Sequence, residues 1–164
     1  MQTEERTPAD KDLASLLAAA FAELVARYGG EGRSLVQDGA RFLVAIVDGR
    51  AVGCGAVQPG DPGDPSVGEL KRMYVLPAYR GRGVARGLLA ALEDLARGQG
   101  HRTLRLATGH LQPEAIALYA SSGYAETAPY GKYVRQPGTH CFAKRLEEDA
   151  GGASAGPGNV SFEP

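Results

Sequence analysis

Large apolar side chains recur at helical spacing early in the chain: Leu13, Leu16, Leu17, Phe21, Leu24, Val25 and Tyr28 share one face, which predicts a helix with that face buried. Thr7 can cap this helix, Pro8 suits its first turn, Asp10 lies near the positive end of its dipole, and Gly29 and Gly30 end it. Residues 41–48 and 51–58 are β-rich runs joined through Asp48, Gly49 and Arg50, an Asp-Gly turn signal that predicts an antiparallel hairpin. A third run, 67–75, alternates imperfectly, because Leu70 and Tyr74 fall on one parity while Val67, Met73 and Val75 fall on the other. One extra residue flips the facing of everything after it, so the pattern predicts a β-bulge near residues 71–73.

Downstream, Val84, Leu88, Leu89, Leu92 and Leu95 form a second helical stripe within 83–97, stopped by Gly98 and Gly100. Residues 103–107 then read as a strand, and strand, helix and strand in that order predict a right-handed parallel crossover. A short helix starts at Pro113, carries Ile116, Leu118 and Tyr119, and closes at Gly123. Two closing strands, 124–127 and 139–146, flank a loop rich in Tyr, Gly and Pro. The predicted fold is a mixed α/β (α+β) sheet of six or seven strands, antiparallel at its start, with one parallel crossover and about four flanking helices. Past Glu148 the chain turns to Gly, Ala, Ser and Pro, with Val160 and Phe162 its only large apolar side chains. Residues 149–164 are therefore predicted to be a flexible tail beside a single domain over 1–148.

Composition adds little to this picture and excludes more. A chain of 164 residues, 43% apolar and 7% aromatic, supports one core. Its 18 basic and 19 acidic residues give a net charge of −1, so no global field draws it to nucleic acid or to an anionic membrane. Lys71, Arg72, Arg80, Arg82, Arg86, Arg102 and Arg105 fall on different elements and make no continuous basic stripe. Cys54 and Cys141 sit inside apolar strand-like runs without ligand spacing, as buried thiols of a reducing compartment do. The polar N-terminus carries no secretory signal, and no run approaches the roughly 18 apolar residues of a membrane span, so the expected location is the cytoplasm. His101, His110 and His140 lack metal-ligand spacing and there is no nucleophile elbow, so neither metal catalysis nor a serine triad is expected.

The most informative segment is Val75-Leu76-Pro77-Ala78-Tyr79-Arg80-Gly81-Arg82-Gly83-Val84-Ala85, which passes from strand through a glycine-containing turn into a helix N-terminus. Unpaired backbone N–H groups and the dipole make such a turn an anion site. Gly81 and Gly83 admit a bulky phosphate, and Arg80 and Arg82 add charge. The same turn also reads as a plain connection with solvated arginines. It lacks both the P-loop pattern and a third glycine at residue 86, so neither a nucleotide hydrolase nor a dinucleotide fingerprint fits.

Arg80, Gly83 and Ala85 match motif A of the GCN5-related N-acetyltransferase (GNAT) family: Arg or Gln, two residues, Gly, one residue, then Gly or Ala. The preceding 69–75 resembles that family's bulged fourth strand. Gln112-Pro113-Glu114-Ala115-Ile116-Ala117-Leu118-Tyr119, closed by Gly123 and Tyr124, is similar to its motif B, where Asn is commoner than Gln at the first place. The resemblance covers roughly residues 1–146 and implies an acetyl-CoA-dependent N-acetyltransferase acting on a primary amine of a small molecule or peptide.

It further implies that the cosubstrate's phosphates meet Arg80, Gly81, Arg82, Gly83, Val84 and Ala85, with Gln112 reaching it from motif B. The pantetheine arm would lie beside Met73, Tyr74 and Val75, against backbone groups of Met73 and Val75. Backbone N–H groups around the bulge would face the thioester carbonyl. Tyr119 holds the place of the general acid. Glu69 is the candidate base, directly or through water, and also reads as a surface carboxylate paired with Lys71 or Arg72; His110 is the second candidate. The loop 129–135 would form one acceptor wall, its aromatic and cationic residues suited to a small acid such as an amino-acid carboxylate, with Glu31 and Arg33 opposite. Many members of the family pair as homodimers. From another class, a non-catalytic acyl-CoA sensor module has the same motifs and would bind the cosubstrate without releasing thiol.

Overall fold

The structure is a computed structural model that describes residues 1–29 and 36–147. Among the described residues, one sheet of seven strands has the order β1-β2-β3-β4-β5-β7-β6. The strands are β1 (Gln2–Arg6), β2 (Arg41–Val47), β3 (Arg50–Pro59), β4 (Val67–Val75), β5 (Thr103–Gly109), β6 (Ala125–Thr127) and β7 (Thr139–Arg145). Three α-helices pack on it: α1 (Lys11–Tyr28), α2 (Val84–Gly98) and α3 (Pro113–Ser121). Beside the expected count of about four helices, the described residues hold these three and two 3-10 turns, Pro77–Tyr79 and Gly131–Arg135. No described helix is long and apolar enough to cross a membrane. The predicted tail, 149–164, lies outside the described residues.

All pairings are antiparallel except β4 with β5, the crossover spanned by α2. The hairpin at Asp48 and Gly49 forms as expected, both residues at positive φ. β1 was not foreseen, and the reason is physical. Its sequence, Gln-Thr-Glu-Glu-Arg, is an edge strand with no apolar alternation, held by backbone pairing to β2 and by Arg41 donating to Glu5 at 2.6 and 2.7 Å. α1 also starts later than Thr7. Asp10 caps it, accepting from the Leu13 N–H at 2.9 Å, while Arg6 fixes the same carboxylate at 3.0 Å. Residues 7–10 form a turn closed by the Asp10 N–H on the Thr7 carbonyl.

The bulge in β4 lies where the broken parity requires it. Arg72 has φ 60°, and the register with β3 shifts between Cys54 opposite Tyr74 and Ala56 opposite Lys71. Leu70 packs with Met73 and Val75 in the core under α2, whereas Tyr74 packs in the smaller core under α1. Opposite the bulge, Gly55 brings β3 against α2 so closely that a Cβ there would lie 2.5 Å from Leu92 Cδ1 and 2.9 Å from Met73 Sδ. Leu92 is fully buried. Leu92→Ala is expected to cost about 2–5 kcal/mol, checked by urea denaturation, because the void at this joint has no side chain on Gly55 to relax into it.

Candidate active site

β4 and β5 pair only from Val67 with Thr103 to Glu69 with Arg105, and then part. Beyond that point β5 continues against β7 while β4 continues, bulged, against β3, so a notch opens in the middle of the sheet. A cleft of about 530 Å³ fills it, lined by residues from both faces. α1 contributes Leu17, Phe21, Leu24 and Tyr28. This corrects the reading of α1 as buried along its whole stripe. Leu13 and Leu16 are core, but the later apolar positions wall the cleft because the sheet beneath them has parted.

Of the sequence-nominated residues, Met73, Tyr74, Gln112, Tyr119 and His110 line the cleft. Tyr119, on α3, is 5% exposed, edge-on to Tyr124 with ring centres 5.7 Å apart. Burial raises its phenol above the ordinary tyrosine value, so it stays protonated. Tyr124, at the end of motif B, is fixed by donating to Glu93 at 2.8 Å, and Lys144 donates to the same carboxylate at 3.1 Å. The Gln112 amide lies 3.4 Å from the Thr108 hydroxyl. His110 Nδ1 faces the Gly138 carbonyl at 3.0 Å, so that nitrogen donates and a neutral ring leaves Nε2 as the acceptor.

Glu69 is not among the residues lining the cleft; it sits 7% exposed at the point of divergence. Its Oε2 accepts from the hydroxyls of Tyr130 at 3.2 Å and Tyr133 at 3.3 Å, and its Oε1 from the Gln58 amide at 3.4 Å. Lys71 Nζ is 3.7 Å from the carboxylate and donates to the Tyr133 hydroxyl at 2.9 Å. Lys71 is only 8% exposed, and burial moves its pKa downward against the opposing pull of Glu69. Tyr130 is pushed upward by burial and by Glu69, and the Arg105 guanidinium covers its ring at 3.9 Å. Tyr133 and Lys71 both line the cleft and touch Glu69, so they connect the two. Sequence reasoning had placed Tyr130 and Tyr133 on an acceptor wall without seeing that they cap Glu69. Glu31 and Arg33 lie outside the described residues.

The turn into α2 lies past the end of β4. Gly81 and Gly83 have φ of 79° and 81°, and Gly83 is the N-cap, with no side chain capping the helix and no acidic residue in its first turn. The first N–H groups of α2 are thus left for an outside acceptor. Arg80 is engaged elsewhere: its Nε donates to the Val75 carbonyl at 2.8 Å, its Nη2 to Glu23 at 2.9 Å, and it covers the Tyr74 ring at 5.5 Å. Arg82 lies over the Tyr79 ring at 5.3 Å. Both cysteines are buried, and desolvation pushes the Cys54 thiol up to about 12, which leaves it unreactive. Among the described residues, no three His, Cys, Asp or Glu side chains group to hold a metal ion.

Comparison with known proteins gives the same picture. The family model described as "Acetyltransferase (GNAT) family" matches residues 10–124. An IAA acetyltransferase of Azospirillum brasilense is 43% identical over 105 residues, 64% of this chain and 67% of that protein. A provisionally assigned acyl-CoA N-acyltransferase of Klebsiella pneumoniae superposes with TM-score 0.75 at 33% identity, over 89% of this chain and 97% of that one. The fold is shared too by the Salmonella typhimurium protein yncA, solved with its cofactor acetyl-CoA, at TM-score 0.64 and 23% identity over 90% and 96% of the two chains. A strand that parts from its neighbour at a bulge, followed by an uncapped helix behind two left-handed glycines, therefore has its explanation in descent: the chain belongs to the GNAT family of acetyltransferases, and is an acetyl-CoA-dependent N-acyltransferase.

Proposed function

We propose that the protein moves the acetyl group of acetyl-CoA to a primary amine of a small molecule or peptide, by direct attack of the amine nitrogen on the thioester carbonyl. The observation that carries this reading is the parting of β4 from β5 just after Glu69 and Arg105, beside the Arg72 bulge. It leaves an unpaired strand edge to which the pantetheine amides add as a further strand, and it directs the thioester into the cleft. The diphosphate rests on the backbone N–H groups of the turn at Gly81, Arg82, Gly83, Val84 and Ala85. Arg80, tied to Val75 and Glu23, holds that turn in place rather than reaching for phosphate first. Met73, Tyr74, Val75 and Gln112 border the arm.

The amine arrives protonated at neutral pH and must lose a proton before it attacks. Glu69 accepts that proton, and because it stands behind Tyr133 and Lys71 the transfer passes through a water or the Tyr133 hydroxyl. Backbone N–H groups at the bulge stabilise the oxyanion of the tetrahedral intermediate. As the carbon–sulfur bond breaks, the Tyr119 hydroxyl gives its proton to the departing thiolate. A second reading makes His110 the base, favoured by its place on the cleft wall with Nε2 as the open acceptor.

Incubation with acetyl-CoA and a panel of amino acids, polyamines, aminoglycosides and peptides tests the reaction through thiol release and the mass of the product. Coenzyme A binding by calorimetry with no thiol release across the panel would sink it. Tyr119→Phe is expected to lower kcat about 10-fold, because a thiolate is a tolerable leaving group even without its proton. A loss under about threefold removes the general acid role.

A further inference from the structure

We infer that the acceptor is a small amine bearing a carboxylate and an apolar side chain, as hydrophobic α-amino acids do, with Arg135 as the carboxylate's ligand. The inference rests on the amine-acetylation reading above and narrows it to a substrate class.

The acidic and basic side chains lining the cleft are Glu23, Lys71, Arg72 and Arg135, beside the imidazole of His110. The one acid among them is already engaged, with Arg80 at 2.9 Å and Arg27 at 4.0 Å. Glu69, behind the lining, balances Lys71 at 3.7 Å, so no carboxylate on the described cleft wall is left open to a second cation. A polyamine or aminoglycoside finds no open carboxylate on these walls, whereas an amine with its own carboxylate finds the Arg135 guanidinium.

Arg135 is the cation placed to receive it. It closes the 3-10 turn Gly131–Arg135, lines the cleft, and has no ion-pair partner among the described residues. Its backbone is held firmly, because Tyr133, two residues earlier, is clamped by Lys71 at 2.9 Å and Glu69 at 3.3 Å. The clamp serves two ends of one molecule: it holds the group that takes the amine's proton and, through the turn that carries Tyr133, a guanidinium fork suited to a carboxylate. An α-amino acid carries its amine and carboxylate on the same carbon, so both ends can be met together. Across the cleft, Leu17, Phe21 and Leu24 of α1 offer an apolar wall to the remaining side chain.

The test is a matched series with acetyl-CoA as donor: phenylalanine, its amide and phenethylamine, then leucine and leucinamide, with spermidine as the cationic competitor. Wild-type kcat/KM is expected to be about 10- to 100-fold higher for each acid than for its amide or decarboxylated partner, mostly through KM. Arg135→Gln should raise KM for the acids about 10-fold or more and collapse the acid-to-amide ratio towards one. Arg135→Lys, which keeps the charge and loses the fork, should fall between. Circular dichroism checks that this exposed substitution leaves the fold intact. Equal rates for acid and amide, faster turnover of spermidine, or an unchanged ratio in Arg135→Gln overturns the assignment and leaves amine acetylation standing. No turnover with any amine overturns both.

Discussion

Glu69→Gln is expected to lower kcat/KM by about 100- to 1000-fold at neutral pH, the range in which a positioned general base contributes. Glutamine keeps the length of the side chain and an oxygen that can accept from Tyr130 and Tyr133, but it turns an NH2 towards the Gln58 amide and leaves Lys71 without its counter-charge, so the melting temperature is read beside the rate. What it loses is the capacity to accept a proton.

The pH profile separates that loss from a loss of shape. Without a base, only the amine already deprotonated in water can react, and that fraction falls tenfold for each pH unit below an alkylammonium pKa near about 10. The variant's log kcat/KM should therefore climb with a slope near one from pH 7 to 9, and its deficit against wild type should shrink across that range. A deficit of constant size would mean that Glu69 positions Tyr133 and Lys71 without handling the proton. If His110→Gln shows the narrowing deficit and Glu69→Gln does not, the base is His110.

How far such a residue could be found from sequence depends on what holds it. Glu69 was singled out through its place in a run of residues resembling a known strand, and the parity break three positions on located the bulge, because buried side chains must change face where a residue is inserted. The helical stripes of α2 and α3 were legible for a related reason: Leu88, Leu89, Leu92 and Tyr119 are all buried against the sheet. β1 was not legible, because an edge strand wet on both faces needs no apolar alternation. Nor was the end of the α1 core. Its apolar period continues unbroken from Leu13 to Tyr28, and nothing local says that the sheet beneath it divides.

The clustering around Glu69 was illegible in a deeper sense. Its tyrosine partners lie 61 and 64 residues away, and Gln58 reaches it from the paired strand β3. Arg80 shows the same limit. Its neighbours in sequence pointed to a phosphate ligand, whereas Glu23, 57 residues earlier on α1, takes its guanidinium. Backbone features of the turn could be read locally because glycine spacing and a helix start are local properties. The occupation of one side chain by another is not.

That contrast sets the second large effect, at Gly83. With φ of 81° and nothing within 4 Å of where a Cβ would stand, the position tolerates added bulk in space but not in backbone conformation. Gly83→Val forces a β-branched residue into the left-handed region, at a cost of roughly 1–3 kcal/mol, and puts its methyl groups into the open space beside the turn on which the diphosphate is proposed to rest. The dissociation constant for coenzyme A is expected to rise about 100-fold or more by calorimetry, with kcat/KM for acetyl-CoA falling in step. Gly83→Asn separates the two causes, since asparagine adopts the left-handed conformation far more readily than valine. Its melting temperature should stay near wild type while its side chain still fills the space proposed for the diphosphate, so coenzyme A binding should remain weak. Pantetheine, which lacks the diphosphate, should bind all three proteins alike. Coenzyme A binding to Gly83→Asn as tightly as to wild type would mean that the diphosphate is held elsewhere than on this turn.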